Sequence, residues 1–375
     1  MNSHIILTIV TAFPSILLYC QVVNASAYPS SIIKRVVVVG GTHGNEYTGV
    51  WCIKAIEQQR KHYEKNPLDN PMAQNFPSLD ISTLLSNREA FLANKRFIDC
   101  DLNREFSKEK LLRNTELYTN EKMEKKDEKT ETKRALELDS IFGSKKDVQG
   151  NKKTDVIVDL HSTTTNMGMT VIVPEGDALM AQAAAYVMAK FKQDKSLKCC
   201  RCLMHSIPNA DLRPNLSSVG KHGFTIEVGA VPQGVLRHDG VENTQKALHY
   251  FLEFLEKRNV NENKVLDEME KFYPDGKVPC FLSAKAKRSG EMSGKLTWPC
   301  DNENPNFPTI MVHKNIQDND FQKIRKGDPL FVRWDGSTIS YNGSHGVSGY
   351  SLFLFSLFHR SYMTHFYPSY RMKSI

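Results

Sequence analysis

The chain has 375 residues, enough for one large domain or two moderate ones with a substantial core. Apolar residues make up 40% and charged residues 24%, which excludes a disordered or fibrous chain. The net charge of +7 favours acidic partners, but no basic stripe interleaved with aromatics appears, which argues against nucleic acid and for surplus surface lysines.

Residues 1–27 stand apart. Ile5–Phe13 and Ser15–Cys20 are apolar, and "ASA" at Ala25–Ala27 has the form of a signal-peptidase site. The segment is too short and Pro-interrupted for a membrane span. No Lys or Arg precedes the apolar run, so a signal peptide competes with an extension on a cytosolic protein or a misassigned start.

"RVVVVGG" (Arg35–Gly41) is a continuous Val-rich run, the pattern of an inner strand covered on both faces. His43 and Glu46 follow it in a glycine loop, before a helix expected over Thr48–Lys65. A strand end opening into a glycine loop is where open α/β sheets hold ligands. An imidazole and a carboxylate three residues apart can aim at one point and suit a metal such as Zn²⁺. "KRFIDCDLNREF" (Lys95–Phe106) then groups Arg96, Asp101, Asn103 and Arg104, which standing alone reads as a surface loop with salt bridges. Ser107–Arg134 is crowded with Lys and Glu and reads as a solvated, partly helical insertion or flexible loop.

"DVIVDLH" (Asp155–His161) is a second buried strand ending in His161, and "MTVIVPEG" (Met169–Gly176) a third. If the first two are neighbours, His43, Glu46 and His161 meet at the carboxyl edge of the sheet. Two His and one Glu with a fourth position for water is a catalytic rather than a structural zinc arrangement. Each half alone is commonplace; a lone H-x-x-E arises by chance, and a His after a strand is usually a surface polar group. A helix is expected over Ala178–Asp194. "CCRC" (Cys199, Cys200, Cys202) lacks a second Cys/His pair at matching spacing, and reads as surface or structural thiols rather than a zinc knuckle or disulfide framework. "GFTIEVGAVPQGVLRHD" (Gly223–Asp239) sets Glu227 inside an apolar strand, where an acid must face a cavity, a metal or a partner. A third helix is expected over Asn243–Arg258, closing an α/β unit over residues 34–260. Beyond it, short segments punctuated by Gly, Pro and Asp, with a hairpin signal at Asp335–Gly336, imply a smaller β domain over 261–349. The last residues, 350–375, are aromatic and basic, with an apolar run too short to cross a bilayer.

"GGTHGNEYTG", "RFIDCDLNREF", "DLHSTTTNMGMT" and "IEVGAVPQGVLR" together resemble the aspartoacylase and mercapturate-cleaving aminoacylase family, within the wider zinc carboxypeptidase-like group. With "NIQDNDF…GDPLF" (Asn315–Phe331) the blocks occur in family order over residues 34–347. The resemblance implies a three-layer α/β/α domain with a central mixed sheet and a smaller C-terminal β domain. It implies one Zn²⁺ per subunit on His43, Glu46 and His161, and hydrolysis of small-molecule N-acyl amino acids. Glu227 is then general base and later proton donor, and Arg96 stabilises the oxyanion. Asn103 and Arg104 grip the substrate α-carboxylate, and Asp101 orients His43.

Two departures stand out. Where aspartoacylase carries a Tyr and, four residues on, an Arg that engages the substrate's acidic side chain, a gapless count finds Arg213 and Ser217 here. The family's closing segment, with its substrate-contacting Tyr, has no counterpart from Ser348 onward. The first departure admits a hydrophobic or cysteine-conjugate substrate side chain beside the acidic one, and the second supports a non-catalytic zinc-binding homologue as a rival reading; a zinc carboxypeptidase acting on peptides is the other rival. The family implies a cytoplasmic enzyme, the N-terminal stretch a secreted one. The sequence leaves the oligomeric state open, a homo-oligomer included.

Overall fold

The computed structural model describes residues 14–21, 32–119, 128–146, 152–194, 199–205, 207, 209–274, 276–283, 300–304, 307–342 and 352–354. The strands in chain order are β1 (Pro14–Gln21), β2 (Arg35–Gly40), β3 (Asp80–Leu85), β4 (Val156–Ser162), β5 (Gly168–Pro174), β6 (Cys200–His205) and β7 (His222–Gly229). They continue as β8 (Lys277–Ser283), β9 (Ile310–Val312), β10 (Gln322–Ile324), β11 (Pro329–Arg333), β12 (Thr338–Ser340) and β13 (Leu352–Leu354). The helices are α1 (Tyr47–His62), α2 (Pro71–Asn75), α3 (Arg88–Leu92), α4 (Lys108–Thr119), α5 (Thr130–Phe142), α6 (Ala178–Gln193) and α7 (His238–Phe272).

One mixed sheet runs in the order β10-β13-β1-β8-β6-β5-β7-β4-β2-β3. β3, β2, β4 and β7 are parallel, and β5 turns antiparallel to β7, with β6 and β8 following its direction. The Val-rich runs become β2 and β4 because their residues are covered on both faces; all seven of β4 are buried. Helices α1, α6 and α7 cover one face through Cys52, Ile53, Ala183, Tyr186, Phe251 and Leu255. Leu111 of α4 and Ala135 and Leu138 of α5 cover the other, against Val37, Val39 and Ile157. This is the layered α/β unit that the strand–helix alternation implies, in the three-layer α/β/α form that the family resemblance implies.

The segment 261–349, expected as a separate β unit, divides. α7 runs on to Phe272, but its backbone leaves helical geometry at Asn261 (φ −161°, ψ 95°), where the Asn261 side chain accepts the Lys264 N–H as a new cap. β8 and β10 belong to the main sheet, and β9, β11 and β12 form a small sheet over their own core of Ile310, Leu330, Phe331 and Ile339. Asp335–Gly336 makes the turn between β11 and β12, with Gly336 at φ +79°. The charged stretch 107–134, read as a solvated insertion, contributes α4 and the start of α5, both packed on the sheet. Amphipathic helices dense in Lys and Glu hide a narrow apolar stripe that charge content masks.

Of the N-terminal segment 1–27 only β1, paired along its length with β8, lies among the described residues. Of 350–375 only β13 does, and the expectations for the remainder of both segments fall outside them. Among the described residues no helix is long and apolar enough to cross a membrane. Cys52, Cys100, Cys199, Cys200, Cys202, Cys280 and Cys300 are free thiols, and "CCRC" enters β6 with Cys200 and Cys202 in the core.

Candidate metal centre

β2 and β4 are hydrogen-bonded neighbours, so the loop after β2 and the end of β4 meet at one edge. The loop over residues 41–46 is tight. Gly41 sits at φ +70°, and a Cβ on Gly44 would lie 2.1 Å from the Ala90 carbonyl carbon, so neither position accepts a side chain. Gly44 N–H donates to the Arg96 carbonyl (3.1 Å), which seats the loop against the segment carrying Arg96 and Asp101.

One donor atom each from His43, Glu46 and His161 lies within 4.8 Å of the others, and all three residues are buried. His43 Nδ1 is 2.7 Å from Glu46 Oε1, and His161 Nδ1 is 2.9 Å from Glu46 Oε2. The far nitrogens are held too: His43 Nε2 is 3.1 Å from Asp101 Oδ1, and His161 Nε2 is 2.9 Å from Asp159 Oδ2. An Nε2–H given to each aspartate leaves the Nδ1 lone pairs facing Glu46, the tautomer that metal-binding histidines need. Arg96 Nη1 donates to Glu46 Oε1 (3.0 Å) and Nη2 to Asp101 Oδ2 (3.3 Å).

With neutral imidazoles, three buried carboxylates against one guanidinium leave two negative charges unbalanced. Burial so dense in anion is costly unless a cation joins it. The side chains themselves show the demand. Burial opposes charge on His161, yet Asp159 and Glu46 raise it well above the usual imidazole range. Burial likewise opposes ionisation of Glu46 and Asp101, but His43 with His161, and His43 with Arg96, hold them well below the usual carboxylate range. The donor set and the charge deficit fit a divalent ion on two imidazoles and a carboxylate.

Glu227 projects from β7 beside His161, its register partner on β4. It is partly exposed, yet burial pushes its carboxyl up to about 7, against the pull of His161. Asn103 Nδ2 lies 3.5 Å from His161 Nε2, while its Oδ1 accepts the Leu216 N–H (2.8 Å). Arg104 is exposed, with Nη1 donating to the Asn103 carbonyl (2.8 Å). The structure thus brings His43, Glu46, His161, Asp101, Arg96 and Glu227 together, with Asn103 at their edge and Arg104 at the rim.

Sequence reasoning missed Asp159. The signal was present: an acid two residues before a strand-borne His shares its face. Asp159 is itself fixed by Thr42 Oγ1 (2.7 Å). It also missed Thr170 and His205 on the sheet face that carries Glu227. Thr170 is Glu227's partner on β5, and alternation through β5 and β6 sets His205 on the same face. Burial, then the charges of Arg104 and Arg213, push His205 down to about 4. Thr170 Oγ1, His205 Nδ1 and Arg213 Nε are buried and find no hydrogen-bond partner among the described residues.

Residues 32–255 match the succinylglutamate desuccinylase/aspartoacylase catalytic domain. A probable aspartoacylase of Nostoc sp. is 33% identical over 322 residues, covering 86% of this chain and 91% of the relative. The N-acyl-aromatic-L-amino acid amidohydrolase (carboxylate-forming) A of Danio rerio is 33% identical over 307 residues, 81% of this chain and 80% of the relative. The crystal structure of murine aminoacylase 3 shares the fold, with a TM-score of 0.56 at 24% identity over 84% of this chain and 89% of that one. By the extent of the domain match and by these identities, the chain belongs to the succinylglutamate desuccinylase/aspartoacylase family.

Proposed function

We propose that this protein is a zinc-dependent amidohydrolase that cleaves N-acyl amino acids to a carboxylate and a free amino acid. The observation that carries the reading is the His43–Glu46–His161 cluster with Glu227 as the neighbour of His161 across the β4–β7 ladder. The names of the relatives, a probable aspartoacylase and an N-acyl-aromatic-L-amino acid amidohydrolase (carboxylate-forming), support the reaction class.

His43, Glu46 and His161 would hold the ion. A Zn²⁺ bound there supplies Lewis acidity, polarising a carbonyl and bringing the pKa of water from ~15.7 toward ~7. Glu227, pushed up to about 7, is matched to neutral pH as the base that takes the proton of the attacking water. As the C–O bond forms and the amide C–N bond breaks, the same carboxyl returns that proton to the departing nitrogen. Arg96, buried and held by Glu46 and Asp101, supplies a fixed cation where the carbonyl oxygen gains charge. Asn103 and Arg104 at the rim bind the α-carboxylate, a planar anion suited to a guanidinium fork.

Arg104 and Arg213 would suit an acidic substrate side chain, while Ile172 and Leu203, clustered with Met167, Phe281 and Phe321 on the sheet face of Thr170, would suit a hydrophobic one or a cysteine conjugate. The test is a deacylation assay on N-acetyl-Asp, N-acetyl-Tyr and N-acetyl-cysteine conjugates, with a peptide control, before and after chelation. Chelator-sensitive release of amino acid from the N-acetyl substrates is expected, and their order fixes the side-chain preference. Release of C-terminal residues from the peptide alone would transfer the site to peptidases. Zinc binding with no turnover of any substrate would make the chain a non-catalytic homologue.

A further inference from the structure

Arg96 and Asp101 stand at the two ends of one short turn, and both touch the metal cluster. What fixes that turn is not in the cluster. The Glu131 side chain, at the second position of α5, is fully buried and accepts four hydrogen bonds. Its Oε1 takes the Ile98 N–H (2.6 Å) and Asn87 Nδ2 (3.1 Å), and its Oε2 takes the N–H groups of Asp99 (2.9 Å) and Cys100 (3.1 Å). Three consecutive amides converging on one carboxylate form an anion-holding nest. Asp99 answers by accepting the Thr130 N–H on its Oδ2 (2.8 Å), so turn and helix are tied in both directions. The fourth donor reaches the other loop, since Asn87 N–H donates to the Gly41 carbonyl (3.1 Å) at the base of the His43 loop.

We propose that Glu131 is a positioning residue: its buried carboxylate templates the 96–101 turn, and so sets Arg96 against Glu46 and Asp101 against His43. The part of this that concerns turnover rests on the proposed function of Arg96; the part that concerns the metal does not. A carboxylate is needed because every partner is a donor. A glutamine would turn an NH₂ toward amides that require an acceptor, and a buried donor left unmade loosens the turn. The charge also rewards geometry, as charge-assisted bonds to backbone amides are the strong kind.

The experiment is a double-mutant cycle on the full chain. Glu131→Gln should lower kcat by ~10–100-fold with KM changed less than about threefold, the effect of shifting a reacting group by roughly an ångström. In an Arg96→Ala background the same substitution should have little further effect on kcat, since the group it positions is already gone. Zinc affinity of the purified protein, read by chelator competition, should fall ~10-fold or more through Asp101 and His43, in both backgrounds. Asp99→Ala, which cuts the return bond from the exposed side, should move both readouts in the same direction by several-fold, and stands in should Glu131→Gln not fold. Wild-type kcat and zinc affinity in these variants would overturn the proposal. So would an equal loss of kcat with and without Arg96, the behaviour of a residue that only supports the fold. If the unaltered protein hydrolyses no N-acyl amino acid, the function is wrong, and the zinc measurement alone still decides the role of Glu131.

Discussion

Along β4, Val156, Val158 and Leu160 enter the core beneath α1, α6 and α7, while Ile157, Asp159 and His161 point to the opposite face. β7 repeats the division, with Phe224, Ile226 and Val228 on the first face and Thr225 and Glu227 on the second. The strands are shared, and only the parity of the residue differs. One face is close-packed hydrocarbon, with Phe224 stacked on Phe251 at 4.2 Å between ring centroids. The other begins as hydrocarbon near the strand starts and ends in buried charge. Stability and chemistry are thus carried by alternate residues of the same backbone, and substitutions should separate them.

The sharpest separation is expected at Glu227. Glu227→Gln should fold, keep its zinc and lose turnover by ~10²–10⁴-fold, as removal of a general base does. The unaltered protein should lose kcat/KM as pH falls, about tenfold per unit, because the base works only when ionised and burial holds its carboxyl up to about 7. A bound divalent cation draws that midpoint lower. A Gln variant with normal turnover, or a profile flat from pH 7 to 4, would break the assignment. Phe251→Ala on the opposite face should do the reverse: a loss of ~3–5 kcal/mol in denaturant unfolding, with kcat per folded molecule unchanged. If kcat fell as far as stability, the two faces would not be separable.

Arg96→Ala should lower turnover by roughly two to three orders of magnitude with zinc retained, measured as kcat against metal content. Near-normal turnover would reduce Arg96 to a counter-ion for Glu46 and Asp101. The smallest effect is expected one layer out. Asp159→Asn should weaken zinc binding ~10–100-fold in chelator competition by releasing the tautomer of His161. No change there would mean that Glu46 alone orients the ring.

The extent to which the sequence foretold these elements follows from how local each signal is. β2 and β4 were readable as continuous Val/Ile runs. α1 and α6 fell within a few residues of their expected ends. β3, "DISTLL", was missed because an edge strand with half-exposed residues makes no continuous run. β6 was hidden in "CCRC", whose cysteines draw attention to redox or metal chemistry although two of them serve as small apolar groups. α7 was expected to end near Arg258, but a second amphipathic run with buried Val265 and Met269 carries it to Phe272. Glu131 and Asp159 left weaker traces. A buried carboxylate depends on donors brought from residues 87 and 98–100, or on a histidine whose own role must be known first.

By itself the amino-acid order determined the alternation of strands and helices, the glycine loop after β2, and the residue types able to hold a metal. Those are properties of short windows, set by side-chain period, backbone freedom and donor chemistry. Only the tertiary structure decided that His161, 115 residues from Glu46, lies 2.9 Å away from it, and that a charged stretch read as solvent-facing supplies the carboxylate beneath the Arg96 turn. The physical reason is strand pairing. The neighbours of β4 are chosen by long-range packing of apolar faces, and charge becomes affordable in the interior only after that packing has assembled its partners.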